Sequence, residues 1–325
     1  MTGKLYGTLG PACAREDTLR AMFAAGMRGM RLNLSHSTLP GSAPWIDAMF
    51  RAAAREGVQS DLVIDLQGPE LRIGALAEPL ALVEGELLTL GERFPVPPCV
   101  PEHIADGDTL LLDDGQLALT VLDAPRALCR VARGGVLLPR KSLAIAGREL
   151  PAPALTEQDR ENLRQAPRFG VTGVMQPFVR GGEDVLAVRA ALQRENAGDL
   201  LIFAKIENQT GLHKLDEIIA YCDVVVIARG DLGNAMPLWE LPRAQERIMQ
   251  RCRAAGRAFM VSTQMLHSML HAAVPTRAEV MDVYHAARSG AQYLLLTGET
   301  AVGEYPAPAM RFFAETARCG WADAQ

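Results

Sequence analysis

The sequence predicts an α/β fold, a closed TIM-type (β/α)8 barrel with a small all-β domain inserted after its third strand. Three features of the 325 residues carry this prediction. Short apolar runs alternate with helical patterns from end to end. The runs have uninterrupted apolar centres, as strands covered on both faces require. From about residue 74 to 147 the helical pattern disappears, and afterwards it resumes.

The elements follow in order. Apolar runs at residues 4–9, 29–33, 62–65, 173–176, 201–206, 224–228, 259–262 and 293–296 are predicted as barrel strands. Amphipathic stretches at 17–25, 43–55, 183–195, 242–255 and 278–289 are predicted as helices of the outer layer. A doubly wound open sheet is the alternative. It is disfavoured because no Gly-x-Gly-x-x-Gly turn follows the first strand. In the interrupted region, 83–90, 109–112, 117–122 and 128–131 read as short strands separated by Gly, Pro and Asp-Gly, with Pro95, Pro97, Pro98 and Pro101 clustered in one connection. The predicted division is therefore a barrel of residues 1–73 with 148–325, and an inserted small all-β domain of residues 74–147.

Composition narrows the function classes. The chain is 49% hydrophobic and 22% charged with a net charge of −5, and it has no basic run. Neither nucleic acid nor a membrane surface is favoured as a partner. No signal peptide or transit pattern opens the sequence, and no apolar run is long enough to span a bilayer. Cys13, Cys99, Cys129, Cys222, Cys252 and Cys319 contain no C-x-x-C pair, which suits reduced thiols in a cytoplasmic protein. His267 and His271 are spaced as a helix-surface pair, and the other histidines share no metal-ligand spacing.

Barrel strands present chemistry at their C-terminal ends, and several ends here are polar. The second strand runs into Arg31-Leu32-Asn33-Leu34-Ser35, where alternation places Arg31, Asn33 and Ser35 on one face. The fifth ends in Lys205-Ile206-Glu207, so Lys205 and Glu207 project together. The sixth leads into Arg229-Gly230-Asp231, and Thr263 follows the seventh. Glu207 and Asp231 come from adjacent strands and could chelate one hard divalent cation. A plain interior ion pair is the alternative reading of Lys205 and of Arg31.

These residues carry a resemblance to the pyruvate kinase family that extends from residue 7 to about residue 317. The matching pieces are Thr8-Leu9-Gly10-Pro11-Ala12, Arg31-Leu32-Asn33-Leu34-Ser35-His36, Gly68-Pro69-Glu70-Leu71-Arg72 and Asp113-Asp114-Gly115. Further along are Phe178-Val179-Arg180, Lys205-Ile206-Glu207-Asn208, Ala228-Arg229-Gly230-Asp231-Leu232-Gly233, Thr263-Gln264-Met265-Leu266 and Gly298-Glu299-Thr300-Ala301.

The resemblance implies transfer of the phosphoryl group of phosphoenolpyruvate to ADP, giving pyruvate and ATP. It implies that Glu207 and Asp231 hold Mg2+ or Mn2+ at the enolate and carboxylate oxygens of the substrate. Lys205 lies against the phosphoryl group in flight, Arg31 holds the phosphate, and backbone N–H groups around Gly230 and Asp231 receive the carboxylate. Thr263 sits near the methylene carbon, while His36 is a positioning residue. Asn33, Ser35, Asp65 and the carbonyl of Leu66 form a K+ site, and Glu70 matches the K+-requiring form of the family. Arg72 and Lys141 contact nucleotide phosphates.

Departures cluster on the potassium and nucleotide side: Leu66-Gln67, Ser37, Pro177, Asn234-Ala235-Met236 and the exit from the inserted domain at Lys141 to Gly147. The chain stops at Gln325, where relatives continue. The expectation is a short form without the family's C-terminal domain and without sugar-phosphate activation, with homo-oligomerisation left open. Two rivals remain at this stage. One is a Mg2+-dependent aldolase or lyase acting through a pyruvate enolate. The other is a non-catalytic phosphoenolpyruvate-binding paralogue.

Overall fold

The computed structural model describes residues 3–35, 37–113, 115–147 and 153–324. His36, Asp114 and Gln325, singled out above, lie outside the described residues, as does the expected return to the barrel at residue 148.

Eight parallel strands close into a barrel: Lys4–Thr8, Met27–Asn33, Asp61–Asp65, Gly173–Gln176, Leu201–Ile206, Val224–Ala228, Ala258–Ser262 and Tyr293–Leu295. Each pairs with its neighbours in sequence, and the first closes on the eighth. Every observed boundary lies within two residues of its predicted position. A helix follows each strand before the next begins: Glu16–Ala25, Ala43–Arg55, Glu157–Gln165, Gly182–Arg194, Leu215–Tyr221, Leu241–Ala254, Arg277–Arg288 and Pro306–Ala322.

Two apolar populations explain why the strands are so uniformly hydrophobic. Alternation sends Leu62, Ile64, Val174, Ile202, Val225, Ile227, Phe259 and Val261 outward into the core shared with the helices. The intervening residues fill the barrel, where Tyr6, Val63, Met175, Phe203, Val224, Val226, Met260 and Leu295 form one buried cluster. At roughly 25 cal/mol per Å2 of apolar area removed from water, these two layers are the main stabilising term for the barrel. Helix ends are fixed locally. Thr156 with Asp159 and Thr276 with Glu279 each form a reciprocal capping box at the start of a helix.

The chain forms two compact units, Met1–Gly68 with Ala154–Gln325, and Pro69–Pro153. The second has its own buried core, including Leu82, Leu88, Phe94, Leu110, Leu119, Val131 and Leu143. Its five-stranded antiparallel sheet runs in the order Leu143–Ile145, Thr109–Leu112, Leu117–Asp123, Leu128–Arg133, Leu87–Thr89. The run predicted as one strand over 83–90 is instead interrupted. Leu80–Leu82 pairs with Gly135–Leu137, and the chain then turns before Leu87–Thr89 joins the larger sheet. Gly85 at φ +86° makes that turn, and the Glu86 carboxylate accepts the Val83 N–H, so Val83 is left exposed.

Candidate active site

Strand register gathers the polar ends. Arg31 stands beside Val63 and Asn33 beside Asp65, while Thr8 of the first strand stands beside Arg31. The Leu34 N–H donates to the Asp65 carbonyl, tying the second and third strands where they end. Val63 and Phe203 point into the barrel, so Asp65 and Lys205, two residues further along, point inward too. Leu32 and Leu34 are buried in the outer core, leaving Arg31 and Asn33 on the opposite face, as alternation predicts.

The result is a compact cluster of opposite charges. Asp65, almost completely buried, takes Nε and Nη2 of Arg31 on its Oδ2, each at 2.7 Å. Lys205 Nζ lies 3.1 Å from Asp65 Oδ1 and 3.2 Å from Oδ2, and 3.2 Å from Oε1 of Glu207. Burial works against the Lys205 charge, but Asp65 and Glu207 outweigh it and hold the ammonium above the usual lysine range. Burial pushes the Glu207 carboxyl up to about 8; Lys205 opposes that shift, while Asp231 and Asp65 add to it. Asp231 thus lies within electrostatic reach of both Lys205 and Glu207.

The rim is finished by irregular backbone. The Phe178 N–H donates to Glu207 Oε2 at 2.8 Å, with Phe178 itself at φ +51°. Beyond the sixth strand, Gly230 has no side chain to obstruct Thr263: a Cβ there would come within 3.0 Å of Thr263 Cγ2. Thr263 and Gln264 both have positive φ, +72° and +55°. Consecutive left-handed non-glycine residues are costly and concentrate at functional sites. Gly230, Asp231 and Thr263 are therefore neighbours on the same side of the rim as Glu207.

The charge balance suits a cation. Arg31 and Lys205 face three carboxylates, and added positive charge would favour the anionic form of a buried carboxyl raised as Glu207 is. Among the described residues, no three His, Cys, Asp or Glu side chains converge on one metal-binding point. Glu207 and Asp231 are two carboxylates within electrostatic reach of each other, a donor set that Mg2+ or Mn2+ could complete with water and substrate oxygens. Asp65 Oδ1 is buried beside the Lys205 ammonium at 3.1 Å, and Asn33 Oδ1 is oriented by the Ser35 N–H at 3.1 Å.

Arg72 and Lys141 belong to the second unit, where paired backbone segments bring them close. Arg72 bridges Ser142, and the Ile73 N–H donates to the Lys141 carbonyl. Each already has an acidic partner: Arg72 Nη2 is 2.6 Å from Glu70 Oε2, and Lys141 Nζ is 2.7 Å from Asp113 Oδ1.

Several residues that shape the rim were not foreseen from the sequence. Asp159 is fully buried and accepts the N–H groups of Gln67 and Gly68 at 2.8 and 3.0 Å, fixing the loop that follows Asp65 and Leu66. The Thr-x-x-Asp spacing identifies it as a cap, but nothing local announces this second duty. Glu299 is likewise buried and accepts the Leu266 and Thr297 N–H groups, at 3.1 and 2.8 Å.

Residues 2–310 match the family described as pyruvate kinase, barrel domain. A pyruvate kinase of Aeropyrum pernix is 37% identical over 318 residues, which cover 96% of this chain and 69% of that protein. One from Mycobacterium tuberculosis is 36% identical over 325 residues, covering 95% of this chain and 68% of the relative. One from Geobacillus stearothermophilus is 35% identical over 95% of this chain and 55% of its own length.

Proposed function

The chain belongs to the pyruvate kinase family, and from that premise we propose that it transfers a phosphoryl group from phosphoenolpyruvate to ADP, releasing pyruvate and ATP. The observation that supports this most directly is the pairing of Arg31 and Lys205 on one buried carboxylate, Asp65, beside the Glu207–Asp231 pair. Phosphoryl transfer is catalysed mainly by positioning and by charge placed against the equatorial oxygens. Two cations held at fixed angles by a shared counter-ion provide such charge without reorganisation during the reaction.

In this reading Arg31 binds the phosphate of phosphoenolpyruvate through the guanidinium edge not engaged by Asp65. Lys205 faces the migrating group. Asp65 favours the charged form of Lys205 and holds both cations oriented and apart. The N–H groups of Gly230 and Asp231 receive the substrate carboxylate, and Thr263 flanks the methylene carbon that takes up a proton. Glu207 and Asp231 would hold Mg2+ or Mn2+, which when bound supplies positive charge to the substrate oxygens. Asn33, Ser35, Asp65 Oδ1 and the Leu66 carbonyl would hold K+. Arg72 and Lys141, both within the unit Pro69–Pro153, would exchange their carboxylate partners for nucleotide phosphates.

A carbon–carbon lyase working through a pyruvate enolate would use the carboxylate pair but has no phosphoryl charge for Lys205 and Arg31 to neutralise. A coupled assay with phosphoenolpyruvate, ADP, Mg2+ and K+ tests the proposal. Turnover that disappears in Lys205→Met is expected. Folded wild-type protein with no turnover, or aldol cleavage without nucleotide, would overturn it.

No helix of the described residues is long and apolar enough to cross a membrane, which agrees with soluble substrates. We place the reaction in the cytoplasm.

A further inference from the structure

Arg229 has no role in the proposed reaction, yet its side chain is heavily bonded at the rim. It begins the segment that carries Gly230 and Asp231, and it reaches across to the end of the seventh strand. Its Nε lies 3.1 Å from the Thr263 carbonyl oxygen and 3.3 Å from that of Ser262; its Nη2 lies 2.7 Å from the Thr263 oxygen and 2.9 Å from Met265 Sδ. Nη1 is gripped by both carboxylate oxygens of Asp282, at 2.9 and 2.7 Å. The guanidinium is largely buried, whereas Asp282 lies on the helix Arg277–Arg288, partly open to solvent.

These bonds converge on the backbone that most needs them. Thr263 and Gln264 are both left-handed, a strained conformation for residues with a side chain. A charge-assisted hydrogen bond to a carbonyl contributes more than a neutral one. The planar fork of Arg229 satisfies the Thr263 carbonyl while its other edge is fixed by Asp282. Thr263 is thereby turned toward Gly230, where only the missing Cβ leaves it room.

We propose that Arg229, anchored by Asp282, is a positioning residue that sets Thr263 against the substrate, coupling the carboxylate-binding segment to the proton-transfer side of the rim. The inference rests on the proposed role of Thr263 in the kinase reaction. Arg229 itself touches no reacting atom.

A double-mutant cycle tests it on the full chain with phosphoenolpyruvate, ADP, Mg2+ and K+. Arg229→Lys keeps the charge but not the fork. It is expected to lower kcat about tenfold with a smaller change in the KM for phosphoenolpyruvate, in keeping with the rate sensitivity to small misplacements. In a Thr263→Ala background the same substitution is expected to cost less than about twofold, because residues acting through one another are not additive. Equal losses in both backgrounds, or no loss in either, would overturn the proposal. Should Arg229→Lys fail to fold, Asp282→Asn enters the same cycle with the same criteria.

A crystal structure of the ligand-free Arg229→Lys protein gives a readout that does not depend on turnover. Relaxation of Thr263 to negative φ supports the proposal, and Thr263 retained near +72° overturns it. If the wild type proves inactive, the kinase reading falls, and this crystallographic measurement alone decides whether Arg229 holds Thr263.

Discussion

Asp61 and Asp65 stand on the same inward face of one strand, with Val63 between them, yet they occupy different worlds. Asp61 closes the N-terminal end of the barrel. It accepts the Tyr6 hydroxyl at 2.6 Å and the Lys4 ammonium at 2.8 Å, and its side chain is 23% exposed. Above it the interior is an aromatic plug, with the Tyr6 and Phe203 rings packed edge-on against Tyr293 at 5.6 and 5.4 Å. Asp65, at the other end of the strand, is 2% exposed and bonded to two cations. A carboxylate at a solvated end costs little to keep charged. One buried among Arg31, Lys205 and Glu207 carries a desolvation penalty that an apolar residue would avoid. A stable barrel needs the first arrangement or something equivalent. The second makes sense where charge is used.

The largest effect should come from the functional end. Lys205→Met is expected to lower kcat on the order of 10^3-fold, the scale for losing one preorganised electrostatic contact at a site of developing charge. Steady-state kinetics with a circular-dichroism check on folding measures it. Retention of near-normal kcat would dissolve the distinction between the two ends. Next in size is Asp65→Ala. It leaves Arg31 and Lys205 buried together without their shared counter-ion, and a broken buried pair costs about 3–5 kcal/mol. Urea unfolding should show a midpoint far below that of any substitution at the Asp61 end.

How much of this was legible in the sequence follows from the physics of each part. The strands were readable because both faces are buried: Val224–Ala228 has no polar side chain to confuse its period. That Lys205 and Glu207 lie side by side was readable because residues two apart on a strand share a face. The counter-ion role of Asp65 was not readable. It depends on register across three strands, through Arg31 on one side and Lys205 on another. Arg229 was hidden for a similar reason, since its partners Thr263, Met265 and Asp282 lie 34 to 53 residues away. The interrupted strand at 83–90 failed differently. Its apolar residues pattern as a strand, while Gly85 and the Glu86 side chain settle the turn.

A third contrast concerns pH. Burial raises the Glu207 carboxyl above its ordinary value of 4.5, so with no cation bound the folded chain keeps this proton to higher pH than the unfolded chain does. Between 4.5 and about 8 the native state therefore binds more protons than the unfolded state, so stability falls as pH rises through that window. Urea midpoints measured across it should decline for the wild type and stay flatter for Glu207→Gln. Saturating Mg2+ should also flatten the decline, because a cation at Glu207 and Asp231 competes with the proton and stabilises only the folded form. An identical slope in wild type and variant would remove Glu207 from the account.

The smallest effect belongs to Asp61→Asn. The amide oxygen can still accept the Tyr6 hydroxyl, so that buried group keeps its partner. What disappears is the ion pair with Lys4, whose side chain is 47% exposed, and such pairs contribute about 0–1 kcal/mol. Turnover should not change, because the plug of Tyr6, Phe203 and Tyr293 separates this end from the rim. Asp61→Ala, by contrast, strands the hydroxyl and should cost about 1–3 kcal/mol, again without loss of kcat. A drop in kcat for the Asn variant, with the unfolding midpoint unchanged, would mean that charge at the closed end is felt at the open one. The two aspartates would then have to be treated as one electrostatic system running through the barrel.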